Sequence, residues 1–151
     1  MRYQQRPYSC GAAAVVNALR CYGKRIPEKL VRSRAGTTKK DGTQEEPMKE
    51  ALKSFGFTGD SFDHRVLATA VDELQVHVGF GRPIVICVQK DQHWVVIVGM
   101  LGPDRYVVID SARTEYNKEE NGVRVLSRKQ LSKFWKNKRG VYSGFAVKKL
   151  P

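Results

Sequence analysis

Gln4-Gln5-Arg6-Pro7-Tyr8-Ser9-Cys10-Gly11-Ala12-Ala13-Ala14-Val15-Val16-Asn17-Ala18-Leu19-Arg20-Cys21-Tyr22-Gly23 is the stretch on which the reading of this chain turns. Residues 3–9 are a short polar lead-in broken by Pro7, and Ser9 is a plausible N-cap. From Cys10 to Tyr22 the sequence is apolar almost all round, which predicts a buried helix closed by Gly23. Its three consecutive alanines leave room for another element to approach closely. Cys10 therefore stands in the first turn of a buried helix. There the helix dipole and the free backbone N–H groups favour a negative charge.

Outward from this segment, the pattern predicts helices over 27–34, 46–55 and 64–78. Pro27 starts the first, Gly56 closes the second, and Asp63 caps the third. Residues 36–44 between them read as a plain polar loop near a cleft, with Asp41-Gly42 as a turn signal. The period then changes. Residues 83–89, 93–99 and 105–110 are apolar β-runs, and 123–126 and 144–148 read as outer strands. A short helix over 126–135, capped by Ser127, lies between those two. Helices first and a mostly antiparallel sheet afterwards make an α+β fold, with a helical half led by the Cys10 helix packed on the sheet. At 151 residues it is expected to be one domain, 1–151.

A cysteine becomes a good nucleophile only as thiolate, and a nearby imidazolium is the second device that favours that form. His93, at the mouth of a strand, can supply it. If Gly99 pairs with Asp104 across the loop 100–103, His93 falls opposite Asp110. Directly opposite residues share a face, with Cβ atoms about 5 Å apart. Asp110 can then hold one ring nitrogen of His93 and leave the other for Cys10. A one-residue slip would destroy that arrangement. The Cys10 N–H and the side-chain amide of Gln4 or Gln5 are the candidate donors to a developing oxyanion.

Gln4, the run Cys10-Gly11-Ala12-Ala13, the Gly42-Thr43 loop, His93 before an apolar strand, and Ile109-Asp110 together resemble the peptidase C39 family. These are papain-like domains that remove leader peptides from bacteriocin precursors after a double glycine. The resemblance implies a papain-like fold and a peptide substrate cut through a Cys10 thioester, after small residues or glycine. It maps the oxyanion glutamine to Gln4, the nucleophile to Cys10, the base to His93 and the carboxylate to Asp110. It implies no metal or cofactor. Ser9 stands where the family often has Asp, and Ser111 replaces a proline that follows the carboxylate. Papain-like sites also serve acyltransferases and amidases.

The remaining features bound the function. Three widely spaced cysteines with no zinc-ligand spacing argue for free thiols and a reducing compartment. Cys21 and Cys87 are expected in the core, as is Trp94. There is no apolar run near the 18 or so residues of a membrane span and no secretory signal, so the expected location is cytoplasmic. The net charge of +12 fits an acidic partner. Residues 121–151 hold nine Lys or Arg and no Asp or Glu. Their basic residues surround Phe134 and Trp135, so a nucleic-acid or other polyanion-binding protein with a vestigial site is the alternative reading.

Overall fold

The computed structural model describes residues 1–89, 92–112 and 122–151. Its helices are α1 (Cys10–Arg20), α2 (Glu28–Arg34), α3 (Glu45–Ser54), α4 (Leu67–Gly79) and α5 (Arg128–Trp135). Its strands are β1 (Phe57–His64), β2 (Ile84–Val88), β3 (His93–Met100), β4 (Arg105–Ile109), β5 (Val123–Ser127) and β6 (Tyr142–Lys149). The strands form one antiparallel sheet in the order β1-β6-β2-β3-β4-β5. The architecture is α+β.

Helices cover both faces of the sheet. On one face, Ala12, Val15 and Leu19 of α1 and Met48 and Leu52 of α3 pack on Val85, Val96 and Phe145. On the other, Val71 and Leu74 of α4 and Leu131 and Trp135 of α5 pack on Ile84, Ile86, Val95 and Val108. This is why β2 is buried at every position and reads as an unbroken apolar run. Each fully buried Leu or Ile contributes about 1.5–3 kcal/mol.

Several expectations are corrected. Residues 57–64 form an edge strand paired along its whole length with β6, and Asp63 caps nothing. Gly59, Asp60, Ser61 and Asp63 hide that strand, because only Phe57 and Phe62 of it are buried. The strand expected at 144–148 is therefore not an outer one; β6 lies between β1 and β2. The Ser9 hydroxyl does not cap α1. It bonds Arg6 N and O instead and folds the lead-in turn. Ser127 does cap α5, in a reciprocal capping box with Gln130. Cys21 lies just past the last helical residue and is exposed, whereas Cys87 is buried.

The β3–β4 register also differs. Met100 pairs with Tyr106 and Gly99 with Val107, then Ile97 pairs with Val108 and Val96 with Ile109. Val98 is thus one extra residue in β3, a β-bulge. Beyond it Asp110 falls opposite Val95, two positions from His93 rather than directly across. Two positions preserve the face. Without the bulge Asp110 would have stood opposite Val96, on the far face from His93.

The start of α1 meets the loop before α3 at Gly11. A methyl there would lie 2.8 Å from Thr43 Cβ and 3.1 Å from Met48 Sδ. Alanine would improve helix propensity by up to about 1 kcal/mol, while overpacking costs about 1–3 kcal/mol. Gly11→Ala should therefore be net destabilising by about 1–2 kcal/mol in urea denaturation. An unchanged or raised midpoint would show that Thr43 is not held against the helix.

Candidate active site

Three elements converge at one end of the sheet. Cys10 is the first residue of α1 and half-buried. His93 is the first residue of β3, and Asp110 directly follows β4. The His93 Nε2–H donates to Asp110 Oδ1 at 2.7 Å, with both residues buried. The thiol of Cys10 lies close enough to the same ring for each group to shift the titration of the other. Since Nε2 is committed to Asp110, Nδ1 is the nitrogen left for sulfur. The backbone N–H groups of Trp94 and Gly11 also favour a charged sulfur.

These contacts set the charges. Burial alone would raise the Cys10 thiol, but the His93 hydrogen bond and charge, with the two N–H groups, bring it below its ordinary value. Burial alone would lower His93; its bonds to Asp110 and Cys10 outweigh that and lift it to about 9. Burial acts to raise Asp110, and His93, the Ala112 N–H and Arg124 hold its carboxyl below the usual range. Both shifts act in the same sense, favouring the thiolate–imidazolium form of the pair over the neutral one.

Arg124 was not singled out in the sequence, where it is one of nine basic residues in the tail. It stands opposite Val108 in the β4–β5 ladder, hence on the face of Asp110. Its Nη1 is 3.5 Å from Asp110 Oδ2 and its guanidinium lies 5.1 Å over the Phe134 ring. Strand alternation is the signal that could have separated it from its neighbours.

The lead-in carries Gln4 to the same end. Gln4 N donates to Ser111 O at 3.0 Å, and Ser111 Oγ donates to Gln4 Oε1 at 3.1 Å. Both Nε2 hydrogens are taken by the carbonyls of Arg6 and Pro7, at 2.8 and 3.2 Å. Gln5 turns away: its Oε1 accepts from Arg32 of α2. Two buried polar side chains strap the lead-in down. Asn17 accepts from Arg2 N at 2.7 Å and donates to Arg2 O at 2.9 Å. Glu28 accepts from Gln5 N at 2.9 Å. Asn17 is the lone polar residue on the buried side of α1, a placement the sequence displayed but did not explain.

From Cys10 a cleft of about 850 Å³ runs between two walls. Tyr8 and residues 39–45 form one wall; Phe62, Cys87, Asn137, Arg139 and Ser143 form much of the other. Trp94 also lines it, and its indole N–H donates to Thr43 O at 3.1 Å, tying the walls together beside the thiol. The two aromatic residues that the basic side chains of the tail surround are largely covered. Trp135 is fully buried, with its N–H on Ser143 O, and Phe134 lies under Arg124.

A model of the peptidase C39 family matches residues 1–139. The chain belongs to the peptidase C39 family. Its fold is that of the solved C39 domains. The peptidase domain of Streptococcus ComA, a bi-functional ABC transporter involved in quorum sensing, superposes with a TM-score of 0.71 at 20% identity, covering 99% of this chain and 96% of that one. A double glycine motif protease from an AMS/PCAT transporter, solved with its leader peptide, gives 0.68 at 20% identity, covering 95% and 88%. A C39-like peptidase from Bacillus anthracis gives 0.61 at 12% identity, covering 100% and 94%. No curated protein matches the chain. Among the described residues, no helix is long and apolar enough to cross a membrane. The α+β, papain-like C39 architecture expected from the sequence is the one observed.

The charge state makes a linkage prediction. A raised His93 stabilises the fold below pH 6.5 and loses that contribution as pH rises through about 9. A lowered Cys10 does the reverse, contributing fully above 9.0 and losing it as pH falls. Below the ordinary thiol value of 9.0 the two slopes have opposite signs and offset each other wherever both groups titrate. In Cys10→Ala the thiol's slope is gone and the part of the His93 shift that comes from Asp110 remains. Its stability should fall above pH 6.5, by up to about 1.4 kcal/mol per unit, relative to wild type in parallel urea titrations. Parallel curves for the two proteins would rule out a thiolate–imidazolium ground state.

Proposed function

We propose that this protein is a cysteine peptidase that cuts a peptide bond after small residues, glycine above all. The observation that carries this reading is a half-buried thiol at a helix start whose titration His93 shifts, with His93 itself hydrogen-bonded to buried Asp110. Family membership and the leader-peptide substrates of its structural neighbours support a peptide as substrate.

In this mechanism the Cys10 thiolate attacks the scissile carbonyl carbon, and the C=O electron pair moves to oxygen. The Cys10 N–H and the Gln4 amide receive that oxyanion, which requires Gln4 Nε2 to release one of its two loop carbonyls. The His93 imidazolium protonates the leaving nitrogen as the C–N bond breaks, leaving an acyl thioester. Neutral His93 then takes a proton from water. The hydroxide forms the new C–O bond, and the thioester opens to an acid and the Cys10 thiolate. Asp110 keeps Nε2 protonated throughout and stabilises the imidazolium. The Trp94–Thr43 bond narrows the channel beside the thiol, which favours a residue without a side chain next to the cut.

The test is mass spectrometry of synthetic peptides containing Gly-Gly, incubated with wild type and variants. Cys10→Ala and His93→Ala should each remove nearly all cleavage, and the double variant should be little worse, because the two act as one unit. Gln4→Ala should lower kcat by about 10² to 10³-fold. Asn17→Leu should lower kcat in the same direction through loss of the strap, with KM less affected. Trp94→Ala should admit alanine or serine where wild type requires glycine. Wild-type turnover by Cys10→Ala would end the proposal.

A further inference from the structure

A second groove opens off the catalytic cleft. It is about 820 Å³, with Leu67 and Tyr142 in its lining and Lys129, Lys133 and Lys136 along its rim. The three lysines are spaced four and three residues apart across the end of α5, hence on one side of it, and all three are exposed. Asn137 lines both this groove and the cleft, and Arg139 stands on the cleft side. The corner between the two is rigid: Asn137 is buried, and its Oδ1 accepts the N–H groups of Arg139 and Val141, both at 2.9 Å. Among the described residues none of these four cations is in an ion pair.

We infer that this groove is an exosite for an acidic stretch of the substrate, so that a chain lying in the cleft at Cys10 turns past Asn137 and sets carboxylates against Lys129, Lys133 and Lys136. The inference rests on the peptidase reading above. Charge complementarity selects an acidic ligand, and continuity with the cleft selects a peptide. The apolar part of the lining fits a segment that interleaves acidic and apolar side chains. A nucleic acid would use the lysines too, but Trp135 is sealed in the core and Phe134 is covered by Arg124. That leaves only the part of Phe134 not under Arg124, in a pocket with Lys133 and Lys136, which is less than the succession of aromatic platforms a nucleic acid stacks on.

The arrangement predicts affinity without chemistry. Cys10→Ala protein would be titrated, by fluorescence anisotropy, with three labelled peptides that share a Gly-Gly core. One carries a Glu/Leu segment before the glycines, one carries it after them, and one carries a Ser/Leu segment in both places. One of the Glu peptides should bind about tenfold more tightly than the Ser peptide at low salt, and the gap should close as salt is added. Neutralising Lys129, Lys133 and Lys136 together to Gln should erase the difference while leaving the circular dichroism and melting temperature unchanged. On the wild-type background the same substitutions should raise KM for the Glu peptide and leave kcat alone. Equal affinity for all three peptides, or tighter binding of short duplex DNA than of either Glu peptide, would overturn the exosite. Charge-dependent binding with no cleavage of any peptide would keep the exosite and refute the peptidase reading instead.

Discussion

The hydrogen bond between His93 and Asp110 exists because β3 carries one residue more than β4 on the way to it. Pairing from the turn would put Asp110 on the far side of the sheet, and the bulge at Val98 reverses that parity. Everything chemical at this end follows from the correction. With Asp110 on the ring, Nε2 is occupied and Nδ1 is left to sulfur. With His93 held by a buried carboxylate and raised to about 9, its charge lowers the Cys10 thiol in a place where burial alone would have raised it. Arg124 enters through the same parity from the next strand over, and it adds positive charge behind Asp110.

The second constraint is steric. α1 lies on the face of the sheet opposite to that of Val95 and Val108, and it must deliver its first residue to the beginning of β3. Its alanines let it lie close to Val85 and Val96, and Gly11 lets Thr43 come against its first turn. Thr43 in turn receives the Trp94 indole. One close approach thus fixes the helix start, the cleft wall and the width of the channel together. The polar exception in α1, Asn17, serves the same end by holding the backbone of Arg2 and so the strap that bears Gln4.

Much of this was readable from the chain. The Cys10 helix, the three apolar strands and the Ser127 cap of α5 declare themselves through period and capping chemistry, because burial on both sides of the sheet demands continuous apolar runs. β1 does not, since an edge strand with two buried phenylalanines can be otherwise polar. The separation of His93 and Asp110 onto one face was anticipated with a register two residues from the real one. Turn length and bulge are decided by backbone packing that residue types do not encode locally. Cys21 shows the related limit at a helix end: apolar neighbours suggest burial, but one residue past the last turn the side chain points to solvent. Gln4 lies beside Ser111, yet the amide orientation depends on loop carbonyls contributed by Arg6 and Pro7, which no spacing rule foresees.

The chain has two tryptophans, and the fold treats them oppositely. Trp135 is sealed in the core among Phe62 and Tyr142. Trp94 is partly exposed, bridges the cleft, and lines it together with Cys10. The protein therefore contains an optical probe at the site and a silent reference away from it. Whatever enters the channel must displace water from around one indole and leave the other untouched, so the difference in emission between empty and filled states belongs to Trp94 alone. Occupancy of the site is legible in the protein's own light, without a label.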